Sequence, residues 1–346
     1  MSDVLLLSLG TTLGWRMGDA LFAEQLERTG VSVTPVAVRM GASGRLRRAY
    51  PVTDLVEALA ARRALAAALD RHRPRAVVIS TTTAAMLADP RGLPYAVRLD
   101  APASMNRPGA RNAVLHALER RALAGARLIL TWSNPGRAAL PDAAAPAVVV
   151  PGPIVPSGPQ PELRERAAVA YTPDVKAKGL DVVCAAWAAA NVAGARLDVF
   201  GVDREAAQVH LARTGTPLQE NVQFHGKVPP ERFRAALRGS LAYVGGARWE
   251  DYGQAPLEAL ADGALLVTVP SGGPFEALAM ARILAPDLVA TEISPEPLSV
   301  ALRRAFELPH DAAAAYRARA AALLEPFRPD AIERTLAAEV VPALLG

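Results

Sequence analysis

The strongest constraint on this chain is an alternation. Short apolar runs of strand length are followed repeatedly by segments with helical spacing, the pattern of a parallel α/β sheet whose crossovers are helices. DVLLLSL (3–9), VSVTPVAV (31–38), AVVIS (76–80), YAVRLD (95–100) and RLILTWS (127–133) read as strands. The helical segments between them include DLVEALAARRALAAALDRHRP and GARNAVLHALERRALAG. The series breaks at VVVPGPIVPSGPQP (148–161), where prolines stop either kind of element. It then resumes with AAVAYTP, RLDVFG, NVQFHGKV, LAYVGG and LLVTVP as strands, again separated by helical segments. Two doubly wound, Rossmann-like domains joined at the proline-dense stretch are expected. Their bounds are 1–155 and 156–330, with a helix at 331–346 packing back on the first domain.

The 346 residues, 51% of them hydrophobic, suffice for two cores. The single cysteine, Cys184, excludes a disulfide framework and a multi-cysteine zinc site, and within LDVVCAAWAA it reads as a buried small hydrophobe. A reducing, cytoplasmic setting fits. The N-terminus lacks the basic n-region and cleavage site of a signal peptide. No apolar run escapes charge or proline for a full membrane span.

Charge divides unevenly. Residues 1–155 carry 19 Arg, no Lys and 11 acidic groups, a net +8, and the remainder carries −4. The basic half points to an anionic partner: a phosphorylated or lipid-linked acceptor, or an acidic membrane surface met peripherally on its inner face. No nucleic-acid partner is expected. An alanine- and arginine-rich coding bias would produce the same imbalance. Against that bias only three lysines occur, Lys176, Lys178 and Lys227, all beside glycines in the second half. A compact ammonium there suits point contact with phosphate.

Ligands of doubly wound sheets bind where strands end and helices begin. Three such loops in the second half carry suitable groups. RWEDYGQAPLEALADG (248–263) holds Glu250 in a loop and places Glu258 in the first turn of a helix opened by Pro256, with seven residues between the two acids. The backbone N–H groups of Asp251, Tyr252 and Gly253 lie between the two acids. PSGGPFEAL brings Gly272, Gly273 and Glu276 to the next loop, and TPDVKAKGLD brings Lys176 and Lys178 to another. On spacing alone, the two glutamates read as a helix-end charge and a solvated side chain. Three loops of one sheet with anion- and hydroxyl-friendly groups read together as a nucleotide-sugar site. GTTLGWRMG after the first strand does not fit the dinucleotide fingerprint, and the G-K-S/T of a phosphate-binding loop is absent.

The ordered segments KGLD, VFG, NVQFHGKV, EDYGQAPLEALADG and GGPFE, spread over most of 165–280, resemble the retaining GT-B glycosyltransferases of the family 4 (group 1) type. The resemblance implies two Rossmann-like domains facing each other across a cleft. It also implies sugar transfer from a nucleotide-diphospho-sugar to an unidentified acceptor with retention, with no metal or other cofactor. Position by position, Glu258 matches the ribose-binding glutamate and Glu250 the one facing the donor sugar. Lys178 matches the lysine neutralising the diphosphate, and Gly272, Gly273 and Glu276 match the loop near sugar and diphosphate. Gly10 to Gly14 sits at the N-terminal glycine-rich loop; the same glycines would also serve a plain tight turn.

Two departures stand out. The glycine-arginine pair that the family has before its lysine is replaced by AYTPDV, leaving Lys176 as a second charge. In place of the histidine after an N-domain strand, YAVRLDAPASMNRPG offers Arg98, Asp100 and Asn106. Asp100 is the candidate there, its alternative role being a cap at the strand exit. His116 reads as a surface histidine and His225 as structural; Lys227 follows a family-like glycine with no contact assigned. A non-catalytic GT-B module that binds nucleotide sugars, or acts as a scaffold, is the alternative function.

Overall fold

The computed structural model describes residues 2–10, 13–40 and 52–346. The chain divides into two compact units, Met1–Pro153 with Pro326–Gly346, and Ile154–Glu325.

The first unit is built on a six-stranded sheet: β1 Val4–Ser8, β2 Val33–Ala37, β3 Ala76–Ser80, β4 Tyr95–Leu99, β5 Leu128–Thr131 and β6 Ala147–Val149. The strand order is β2-β1-β3-β4-β5-β6, and every pair is parallel. VLLLS, AVVIS and LILT are apolar up to a final hydroxyl residue because a parallel sheet is covered on both faces. Alternate residues serve opposite cores. Leu5, Leu7, Val77, Ile79 and Ile129 meet Leu65 and Leu69 of the helix Val52–His72 and Leu123 of the helix Ala113–Gly125. Leu6, Val78, Ala96 and Leu130 face Phe22 and Leu26 of the helix Leu13–Arg28, together with Ile332, Leu336 and Val340 from the end of the chain. The C-terminal residues are thus part of this core.

At the carboxyl ends of β1 and β3, where the strand order reverses, Asp19 ties the sheet together. It accepts from the hydroxyls of Ser8 and Ser80 and pairs with Arg98 Nη1 at 2.9 Å. The Arg98 guanidinium lies 3.9 Å from the Trp132 ring centroid and 4.8 Å from that of Phe22. Gly18 lets Trp132 in, since a Cβ there would come within 2.3 Å of the indole.

The second unit holds β7 Glu165–Tyr171, β8 Arg196–Phe200, β9 Val222–Gly226, β10 Ser240–Gly245 and β11 Leu265–Thr268, in the order β11-β10-β7-β8-β9, all parallel. Its first strand is central. The chain first builds outward through β8 and β9, then returns to place β10 on the other side of β7. The topological switch point therefore lies between β7 and β10. The helix Pro295–Glu307 packs on the helix Leu180–Ala190, where Trp187 and Phe306 meet edge-to-face at 5.9 Å. Cys184 is buried in that helix, and burial pushes its thiol up to about 12, which leaves it a core residue with no nucleophilic character at neutral pH.

Candidate functional site

The loops leaving β7, β10 and β11 are adjacent because those strands are neighbours, and backbone contacts bind them into one surface. In the loop after β7, the Asp174 carboxylate accepts from the N–H groups of Lys176 and Ala177, which turns the chain. Gly179 then opens the helix Leu180–Ala190 with φ +63°. A Cβ there would stand 2.0 Å from the Gly246 carbonyl oxygen, so only glycine fits. The loop after β10 is held to it twice. Arg248 N–H donates to the Ala177 carbonyl, and the Arg248 guanidinium takes both carboxylate oxygens of Asp181. The loop after β11 joins through Glu250 N–H to the Gly272 carbonyl at 2.9 Å and Gly272 N–H to the Arg248 carbonyl. Gly273, at φ +95°, leaves room for the Glu250 carbonyl, which a Cβ would meet at 2.4 Å.

Lys178 and Glu250 converge on this surface. Their 2.6 Å Nζ–Oε1 contact spans the switch point between the β7 and β10 loops. Burial raises the Glu250 carboxyl above its ordinary value, while Lys178 opposes that shift. A pocket beside the pair is lined by Thr172, Tyr243, Ser271 and Phe275 as well as by the two charged groups.

Glu258 lies in the helix Gln254–Ala261, whose left-handed N-cap is Gly253. The expected position needs correction. The helix starts two residues before Pro256, so Glu258 is in the second turn rather than the first. Its carboxylate accepts from Gln254 Nε2 at 3.0 Å and faces Arg234 Nη1 at 3.8 Å. Burial raises its carboxyl too, offset by Arg234. The buried Tyr243 phenol is pushed well up, by burial first and then by the charges of both Glu250 and Glu258, so it lies in the field of the two acids. Arg234 is a site residue the motif reading passed over; it also pairs with buried Asp262 at 2.6 Å. Its signal, an arginine in the helix Pro230–Gly239, is indistinguishable in sequence from the other arginines of PPERFRAALRG.

The remaining candidates of this unit fall around that centre. Tyr252 is buried, Asp251 is exposed with its carboxylate accepting from Trp249 Nε1, and Gly253 abuts Phe275. Glu276 is buried as the first residue of the helix Glu276–Leu284. Lys176 is exposed, and its backbone carbonyl rather than its ammonium meets Arg248. His225 is bonded through Nε2 to Asp198 at 2.8 Å and stacks on Phe200, a structural arrangement.

In the first unit, Gly10 has φ +55° and its carbonyl accepts from Arg16 Nη1. Gly14 belongs to the first turn of the helix Leu13–Arg28, not to the preceding turn as the glycine spacing implied; Thr11 and Thr12 lie outside the described residues. The Asp100 carboxylate accepts from the next N–H, that of Ala101, at 2.7 Å. Arg98 is fully buried in its pair with Asp19, and Asn106 is half-buried. His116 is half-buried, its Nε2 2.9 Å from the Arg107 carbonyl, so it is not a surface histidine. Among the described residues no group of three or more His, Cys, Asp or Glu is placed to hold a metal.

Comparison with known proteins agrees with this architecture. Sucrose-phosphate synthase from Thermosynechococcus elongatus superposes with a TM-score of 0.75 at 15% identity over 97% of each chain. An α,α-trehalose-phosphate synthase (UDP-forming) from Burkholderia xenovorans, solved in complex with glucose-6-phosphate, gives 0.71 at 12% identity over 99% of this chain and 100% of that one. An E. coli structure described as trehalose-6-phosphate bound with UDP-2-fluoro glucose gives 0.70 at 11% over 100% and 99%. No curated protein sequence matches the chain. The α/β fold is that of the GT-B glycosyltransferases. Residues 164–321, which hold Lys178, Glu250, Glu258 and all three loops, match the family glycosyl transferases group 1.

Proposed function

We propose that the chain transfers a sugar from a nucleotide-diphospho-sugar to an anionic acceptor, with retention at the anomeric carbon. The observation that carries this reading is the Lys178–Glu250 pair at the switch point of a group 1 domain, with Glu258 acting on the same buried Tyr243 phenol as Glu250. Lys178 neutralises the donor diphosphate and stabilises the leaving group as negative charge develops on it. Glu258 holds the ribose hydroxyls, and Glu250 faces the donor sugar. Gly272, Gly273 and the N–H groups at 251–253 supply close backbone approach, and Glu276 and Lys176 flank the diphosphate. Asp100 serves the acceptor side. The chemistry is electrostatic and uses no metal; chelator treatment leaves turnover unchanged.

Two similar structures direct the choice of substrates, since one was solved with UDP-2-fluoro glucose and another with glucose-6-phosphate. Thermal-shift binding is measured first with UDP, GDP, ADP and their glucose conjugates, for wild type and Glu258→Ala. A ligand at a hundred times its dissociation constant stabilises by about 2.7 kcal/mol. The expected result is stabilisation by one nucleotide that the variant loses. Turnover of that donor with sugar phosphates follows, with the anomeric configuration of the product read by NMR. No stabilisation by any nucleotide in the folded chain would sink the proposal. Binding without turnover, in a chain that lacks the family's arginine before Lys178, would leave a nucleotide-sugar-binding module.

A further inference from the structure

The helices Val52–His72 and Ala113–Gly125 cover the same face of the first sheet, each packed on the short helix Thr82–Ala85, and Ala58 and Leu115 share a cluster with Met86. The two helices carry four acids, and the fold withdraws three of them from water. Asp54 and Glu57 on one helix and Glu119 on the other are buried. Asp54 pairs with Arg107 at 2.9 Å, and Glu119 accepts from the Ala103 N–H at 2.7 Å. The last acid on either helix, Asp70, is exposed near the end of its helix, where its ion pair with Arg91 offsets its charge. What these helices present to solvent is therefore basic and apolar. Arg62, Arg63, Arg120 and Arg121 are exposed. So are Val52, Leu55 and Leu59, a stripe at positions i, i+3 and i+7, and Val114, at 72% the most exposed of the four. In sequence, GRLRRAYP with three further arginines runs directly into Val52.

We infer that this two-helix face docks on an anionic lipid surface, the aliphatic stripe entering the interface and the arginines meeting lipid phosphates. Charge complementarity selects that occupant. A second copy would bring one basic face against another. A nucleic acid would satisfy the arginines but gain nothing from protruding valine and leucine, since single strands are gripped by aromatic stacking. Among the described residues no helix is long and apolar enough to cross a membrane, so the contact is made from one side. The inference gives a location to the anionic acceptor of the proposed reaction, yet it stands on surface chemistry alone.

The test is co-sedimentation of the full chain with vesicles of phosphatidylcholine, with and without phosphatidylglycerol, at low and high salt. The expected result is binding only to the phosphatidylglycerol vesicles, weakened roughly tenfold or more at high salt. The double variant Leu55→Glu, Leu59→Glu should lose binding by a similar factor, as should Arg62→Glu, Arg63→Glu. All four positions are exposed, so melting temperature and nucleotide-induced stabilisation should stay at wild-type values in both variants. Absence of binding to anionic vesicles, or equal binding to neutral ones, overturns the inference. So does binding that survives the leucine changes while falling with the arginine changes, which would mark a surface for soluble polyanions. Nucleotide stabilisation is read separately, so either proposal can fail while the other stands.

Discussion

Lys178 and Glu250, 72 residues apart in the chain, form a 2.6 Å ion pair between the loops leaving β7 and β10. Without a ligand the ammonium is neutralised by a carboxylate, so a donor diphosphate has to compete with Glu250 for it. Lys178→Ala removes the cation and leaves a mostly buried carboxylate alone. Partial exposure of the lysine tempers the penalty, and urea unfolding should show a loss of about 1–3 kcal/mol. Calorimetry should show a larger loss of affinity for the nucleoside diphosphate than for the nucleoside. Equal losses would place Lys178 away from the phosphates.

The pH dependence of Glu258 has an unusual sign for an acid. Burial raises its folded pKa above the unfolded value, so the folded state binds the proton more tightly. Its contribution to stability is fully present below the unfolded pKa, about 4.3, and is lost as pH rises through the raised folded value. Glu258→Gln removes that loss. The melting temperature of the variant relative to wild type should become more favourable from about pH 4 to pH 7, while nucleotide binding falls. A difference that does not change with pH would show that Arg234 cancels the burial.

Two glycines named by the same motif reading should behave oppositely. Gly179→Ala forces a Cβ against the Gly246 carbonyl at positive φ and should cost about 2–4 kcal/mol, disrupting the loop that carries Lys178. Gly14→Ala meets nothing within 4 Å in a helix and should be neutral or stabilise by about 0.5–1 kcal/mol. With the fold intact, any loss of donor binding in Gly14→Ala would report contact with the ligand itself. Thermal unfolding and nucleotide titration of both variants decide the matter.

Leu336 is fully buried against the second face of the first sheet. Leu336→Ala should cost about 2–5 kcal/mol, and hydrogen exchange should place the loosening in Met1–Pro153 rather than in Ile154–Glu325. Loosening confined to the second unit would contradict the packing.

Much of this could be read in advance, for definite reasons. VLLLS and AVVIS announce covered strands because nothing else buries such runs so economically. KGLD, EDYGQAPLEALADG and GGPFE located the three loops because each needs its glycine for close backbone approach. The error at Glu258 came from taking Pro256 as the first helical residue. Gly253 in the left-handed region begins the helix earlier. Arg234 escaped notice because its partners, Glu258 and Asp262, lie more than twenty residues away.

The alternation of strand and helix, the break between two α/β series and the residue types at the loops are written in the amino-acid order. These are local properties, set by side-chain periodicity, proline and glycine. Which loops are neighbours follows from the packing of the strands, which brings Lys178 to Glu250 and Arg248 to Asp181. Tertiary packing also turns Asp54, Glu57 and Glu119 inward and leaves a basic, apolar face outside. Strand order and burial are settled by packing between segments far apart in the chain, where the cost of desolvating a charge depends on partners that no local pattern names.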